Sequence, residues 1–441
     1  MNRLLRFPEF YGWRIVAAGA VIQAMQSGLL MQAFANYSVL LRQEFGWSTT
    51  MLAAAFSLTR AESGILGPFQ GWAIDRFGPR AVMRIGTVLF GVGFMLFSQL
   101  NSPLEFFAFY FLVALGASLG GFLSITTAIV NWFDRKRSRA LALSQIGFAV
   151  GGLTTPLVVY ALTNAGWRET AFASGVIVLV VGLPLAQLIH HRPEDVGEHV
   201  DGIDPASLDD DDDDNRLQTD FTVREALTTR TFWYISIGHG AALLVVGAVM
   251  VHLSLYLTEQ REFTLQEASF VGGALPMMQL VGQLVGGFLG DRINKQLIVT
   301  AAMIGHMVGL LLLANATSAW MVWAFVPIHG LAWGARGPLM QAMRADYFGR
   351  TNYGTIMGFS SMIVMLGMIA GPLLAGILRD QTGSYVGGFT ILAVLAGIGS
   401  VFFILASPPP PPQRPDDDPP ASERLPDPSP SPVSTTAGGG S

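Results

Sequence analysis

Gly71–Arg80 reads GWAIDRFGPR, one carboxylate and two guanidinium groups set between two long apolar runs. A second stretch of the same kind, GGFLGDRINK, occupies Gly286–Lys295, 215 residues further on. Charge placed twice at one spacing in an apolar chain points to an internal repeat. Other landmarks share the offset: Asp75 and Asp291 are 216 residues apart, Phe133 and Phe348 215, Pro156 and Pro372 216, and Phe172 and Phe389 217. The chain therefore divides into two parallel halves, each with its own Asp-Arg turn.

Around these turns 51% of the side chains are hydrophobic, 13% are charged and 50 of the 441 residues are glycine. Mean hydropathy is positive, which is outside the range of ordinary soluble domains. A hydrocarbon core about 30 Å thick needs roughly 20 residues of helix. Twelve stretches reach that length, at about 13–37, 49–73, 81–100, 104–130, 139–163, 168–190, 232–257, 266–290, 296–315, 318–345, 353–378 and 385–406. Continuous apolar runs without alternation favour helices over barrel strands, because a lipid-buried backbone must satisfy its own hydrogen bonds. The expected fold is an all-α membrane protein with twelve transmembrane helices in two pseudo-symmetric six-helix bundles, related by an axis along the membrane normal. The basic start MNRLLRFPEF precedes an apolar run about twice as long as the core of a cleavable signal; it is expected to stay as the first helix.

Cations decide the orientation, since Lys and Arg collect near helix ends on the cytoplasmic side. With the N-terminus inside, 20 of the 26 Lys and Arg are cytoplasmic, only Arg42, Arg168, Arg261 and Arg379 face outward, and Arg60 and Arg336 lie within spans. Both termini are then cytoplasmic, in a cell (inner) membrane. The expected units are an N-terminal bundle 1–190, an acidic cytoplasmic linker 191–230, a C-terminal bundle 231–406 and a disordered Pro-rich tail 407–441. The run Asp209–Asp214 is contiguous, without the glycine turn and ligand spacing of a calcium loop, and reads as a solvated linker.

Several chemistries are excluded or unsupported. The absence of cysteine rules out disulfides and thiolate metal sites. No G-x-x-x-x-G-K-[ST] stretch supports nucleotide-driven pumping, and no nucleophile, base and orienting group or metal set suggests an enzyme. No cofactor, metal or nucleic acid is expected. The partners are the bilayer, a small-molecule substrate and protons.

The first turn resembles the loop between helices 2 and 3 of the major facilitator superfamily, G-x-x-x-D-R-x-G-R-(R/K), matched here by Gly71, Asp75, Arg76, Gly78 and Arg80. The second copy, with Asp291 and Arg292, is degraded. FYGWRIV, NWFDRKRSRALAL, HRPEDVG and GARGPLMQAMRADYFG resemble the bacterial branch related to monocarboxylate porters and oxalate/formate antiporters. The resemblance implies alternating access, and it implies that Asp75 latches one conformation by facing the N-terminus of the eleventh helix, starting near Gly354. A tight turn that merely tags the cytoplasmic side is the alternative. Relatives of this branch use a cation in helix 8, where this chain has only Gln279 and Gln283, four residues apart on one face.

Charges inside the spans are the functional candidates. Helix 2 carries Arg60 and Glu62, two apart and so aimed at different neighbours; Arg60 also suits a structural pair, while Glu62 is a proton carrier by type. Helix 10 sets His329, Trp333 and Arg336 on one face, a cation, an aromatic wall and an imidazole suited to a small anion. Its glycines equally suit close packing, and Arg336 can snorkel. Asn36 and Tyr37 in helix 1 and the two helix 8 glutamines read either as substrate contacts or as hydrogen bonds joining helices. The leading expectation is a secondary active transporter of a small monocarboxylate-like anion, coupled to protons. Efflux of amphipathic compounds and a transport-inactive receptor or sensor are the alternatives.

Overall fold

The structure, a computed structural model, describes residues 10–204 and 220–412, and these contain helix but no strand. Twelve rods follow one another. The first half holds α1 (Gly12–Phe45), α2 in two segments (Thr49–Ile65 and Gly67–Phe77), α3 (Pro79–Phe97), α4 (Pro103–Trp132), α5 (Arg137–Asn164) and α6 (Trp167–Gln187). The second holds α7 (Arg230–Gln260), α8 (Leu265–Gly290), α9 (Lys295–Ala314), α10 (Ala319–Phe348), α11 (Tyr353–Thr382) and α12 (Tyr385–Leu405). Ten are long and apolar enough to cross a membrane. The other two are α2, which is broken at Leu66, and α10, which carries Arg336, Arg344 and Asp346.

Local sequence sets many helix starts. Ser102 accepts from Glu105 N, Thr229 from Phe232 N, and Thr264 and Glu267 form a reciprocal box, each satisfying a backbone donor that the helix itself cannot. Others, α5 and α11 among them, have no side-chain cap from their own N-cap residue. Asn352, placed to cap α11, instead donates its amide to Phe221 O at 3.0 Å.

Packing repeats the duplication. In the first half α1 lies on α5, with Gly147 against the Ala20 carbonyl; in the second, α7 lies on α11, with Gly367 against the Gly240 carbonyl. Small residues let such backbones approach where no hydrophobic effect between helices helps. The halves meet through α2 on α11 and α5 on α8, again equivalent pairs.

The connection between the halves, expected from 191 to 230, is fastened at both ends of its described residues. Its first end folds onto the first half, where Glu198 accepts from Tyr11 N at 3.0 Å and Asp201 from Arg135 N at 2.7 Å. Its last end docks on the second, where Asp220 accepts from Arg350 N at 2.9 Å and Phe221 N donates to Phe348 O at 3.0 Å. Carboxylates placed opposite free backbone donors fasten it at both ends. The run Asp209–Asp214 and the tail from 413 lie outside the described residues.

Candidate functional site

At the end of the molecule carrying the Asp-Arg turns, here the basic end, each half caps a helix of the other. Asp75 accepts from Gly354 N at 2.9 Å and from Thr355 N at 2.7 Å, and the Thr355 hydroxyl donates to it at 2.6 Å. Asp291 accepts from Ser138 N at 2.9 Å and Arg139 N at 3.4 Å, with the Arg139 guanidinium 3.7 Å away. The acids thus sit on the positive ends of α11 and α5, neither of which is capped by a side chain of its own N-cap residue. Burial holds the Asp291 carboxyl above its ordinary range, against the pull of Ser138 and Arg139. Gly71 makes the first approach possible: a Cβ there would lie 2.1 Å from Gly354 O. Gly78 turns the chain out of α2 at φ +79, a backbone suited to glycine.

The flanking cations of the motif play other parts. Arg76 and Arg292 are exposed, while Arg80 donates to Gln187 on α6 at 3.2 Å. Arg137 on α5 pairs across the halves with Asp346 on α10, which also binds Lys295 at 2.8 Å. Arg350 donates to Asn131 O at 3.2 Å.

Deeper in, an amide ladder joins the halves. Gln283 Nε2 on α8 donates to Gln145 Oε1 on α5 at 3.1 Å, and Gln145 Nε2 donates to Gln341 Oε1 on α10 at 3.0 Å. The Thr126 hydroxyl on α4 reaches the same Gln341 oxygen at 3.5 Å. All three amides are buried. Glu62, also buried, accepts from Gln70 at 3.3 Å and Ser63 at 3.1 Å, and Gln70 also donates to Ser118 on α4 at 2.6 Å.

The helix 10 constellation splits. His329 turns to α9, its Nδ1 3.1 Å from His306 Nδ1 and its ring stacked on Phe325. Trp333 is half-buried with its ring 6.3 Å from that of His329. Arg336 is 1% exposed, and its Nε and Nη1 have no partner. A residue not singled out from the sequence, Arg344, is equally buried; it donates to Met340 O at 2.9 Å and meets His239 Nδ1 at 3.2 Å. Gln145, Gln341, Arg344 and Asp346 were all missed, although Gln341 is a polar residue within the span 318–345 and carried that signal, while Arg344, at its end, was counted with the cytoplasmic cations.

The other candidates are dispersed. Tyr37 is in the core of the first half, edge-on to Phe97 at 5.7 Å, so it fills an aromatic cluster within one bundle. Asn36 is half-buried beside it. Gln279 is also half-buried, and its carbonyl is covered by Gly334 where α8 crosses α10. The Arg60 side chain lies outside the described residues.

Two six-helix halves that repeat one another, cap one another's helices at one end and bury cations behind those caps are the architecture of a multi-pass membrane transporter. The model of the Major Facilitator Superfamily matches residues 16–273 and 235–435, and the chain belongs to that family. It is 25% identical over 377 residues to the probable sulfoacetate transporter SauU of Cupriavidus necator, covering 82% of this chain and 86% of that one. It is 27% identical over 416 residues to human monocarboxylate transporter 11, covering 89% and 82%. The fold matches that of the E. coli fucose:proton symporter FucP with a TM-score of 0.69 at 16% identity, over 89% of this chain and 98% of that one.

Proposed function

We propose that the protein carries a small organic anion of the carboxylate class by alternating access, coupled to protons, and that the basic end faces the cytoplasm across an inner membrane. The structure then represents the state closed on the cytoplasmic side, since the hydrogen bonds between halves described above cluster toward that end. The units move as two bundles, 1–190 and 231–406, about the connection 191–230, with Asp75 and Asp291 as latches. A substrate drives exchange only by binding the two access states differently.

One observation carries the anion reading: Arg336, a permanently charged group, is buried with unpartnered donors and, among the described residues, no carboxylate paired with it. The relatives named for sulfoacetate and monocarboxylates support the same class. Glu62, buried among hydroxyl and amide groups, is the proton carrier in this reading. The test is uptake of sulfoacetate and short monocarboxylates into proteoliposomes at two pH values. Uptake that depends on pH and falls at least tenfold in Arg336→Gln is expected. No uptake of any anion, or uptake indifferent to Arg336→Gln, would refute the reading.

A further inference from the structure

Arg336 and Arg344 stand eight residues apart on α10, which separates their Cα atoms by roughly 12 Å along the axis. Both are 1% exposed. Arg344 touches only neutral groups, the Met340 carbonyl and the His239 ring, and its Nε is unpartnered. Arg336 leaves Nε and Nη1 unpartnered. The nearest acid in sequence, Asp346, is already engaged by Arg137 and Lys295. His239 lies against Arg344 at 3.2 Å, and His329, on the same helix as both arginines, pairs with His306 at 3.1 Å. A guanidinium does not lose its proton inside a protein, and a neutral imidazole ring cannot neutralise it. This part of the second half therefore holds two fixed positive charges, three imidazoles and no carboxylate among the described residues that pairs with either arginine. Gln341 lies between them in sequence, and its oxygen accepts from Gln145 at 3.0 Å.

We infer that the substrate brings two negative charges at neutral pH, as a short dicarboxylate or a carboxylate joined to a sulfonate, and that Arg336 and Arg344 together neutralise it. This rests on the anion reading above and narrows it, because a monocarboxylate would leave one buried guanidinium unbalanced. Arg344 is then a binding residue that becomes accessible when the halves part.

The experiment uses the full chain in detergent and in proteoliposomes. Thermal-shift titrations compare sulfoacetate, malonate and oxalate with acetate and propionate, and uptake is measured for the same compounds. The dianions are expected to bind at least tenfold more tightly than the monoanions. Arg336→Gln and Arg344→Gln should each erase that preference, while Arg336→Lys, which keeps the charge, should retain it. Monoanions binding as tightly as dianions in the unaltered protein would overturn the two-charge inference and leave the anion reading standing; that comparison needs no variant to fold. Binding and uptake of neither class would overturn both. A dianion preference that survives Arg344→Gln would remove Arg344 from the site and with it the inference.

Discussion

Asp75 accepts hydrogen bonds from Gly354 N at 2.9 Å and Thr355 N at 2.7 Å, a carboxylate of one half serving as the cap of a helix in the other. Helix-capping acids contribute about 0.5–2 kcal/mol, and 1.4 kcal/mol is about tenfold in an equilibrium. In the alternating-access reading proposed above, a contribution of that size shifts the balance between the two access states.

Asp75→Asn keeps the shape and removes the charge, so it should shift the population away from closure at the basic end. The chain has no cysteine, so exposed Phe77 and Ile293, one in each half, can be changed to cysteine and spin-labelled. The distance distribution should broaden toward longer separations in Asp75→Asn. An unchanged distribution would show that the cap does not hold the closed state.

Gly71→Ala tests the same contact through shape alone. Its Cβ would sit 2.1 Å from Gly354 O and 2.4 Å from Gly354 C, both backbone atoms that cannot rotate aside. The helices must separate, so the labelled pair should report opening as in Asp75→Asn although every charge is kept. Closure as complete as in the unaltered chain would mean that the α2–α11 crossing can slide.

These contacts also show what the sequence makes legible. Composition and the spacing of Asp75 and Asp291 were enough for twelve helices in two halves, because a lipid-exposed helix must be long and apolar and a duplication preserves its turns. The side-chain partners were harder to foresee. His329, Trp333 and Arg336 do share a helical face, but periodicity does not say which neighbour that face meets, and α9 takes His329. Gln145 and Gln341 are single amides within long helices, and only the crossing of α5 with α10 brings them to 3.0 Å. Asp201 and Glu198, within the acidic linker expected from 191 to 230, find backbone donors of the first half that no local pattern marks.

The histidine pair gives a prediction about stability. His306 and His329 are both fully buried, and each is the other's hydrogen-bond partner. Replacing one by Phe leaves the other a buried polar ring with no partner, a cost of about 1–3 kcal/mol. His329→Phe should lower the melting temperature, and the double replacement His306→Phe with His329→Phe should recover part of the loss. A further drop in the double variant would show that each ring has a separate role.

Gln145 is the last and sharpest test, because it is the middle rung of the ladder and belongs to the half opposite both its partners. Its oxygen accepts from Gln283 at 3.1 Å and its nitrogen donates to Gln341 at 3.0 Å. Gln145→Leu keeps much of the volume and leaves two buried amides each short of a partner, which costs about 1–3 kcal/mol per group in the closed state. Water solvates those amides once the halves part, so the penalty falls on one state only. The variant should therefore open at the basic end, by the same labelled distance, and should do so less in combination with Gln341→Leu, which removes one of the stranded groups. A double-mutant cycle on the ratio of open to closed populations measures this directly. A coupling indistinguishable from zero would mean that the two amides do not hold the halves together.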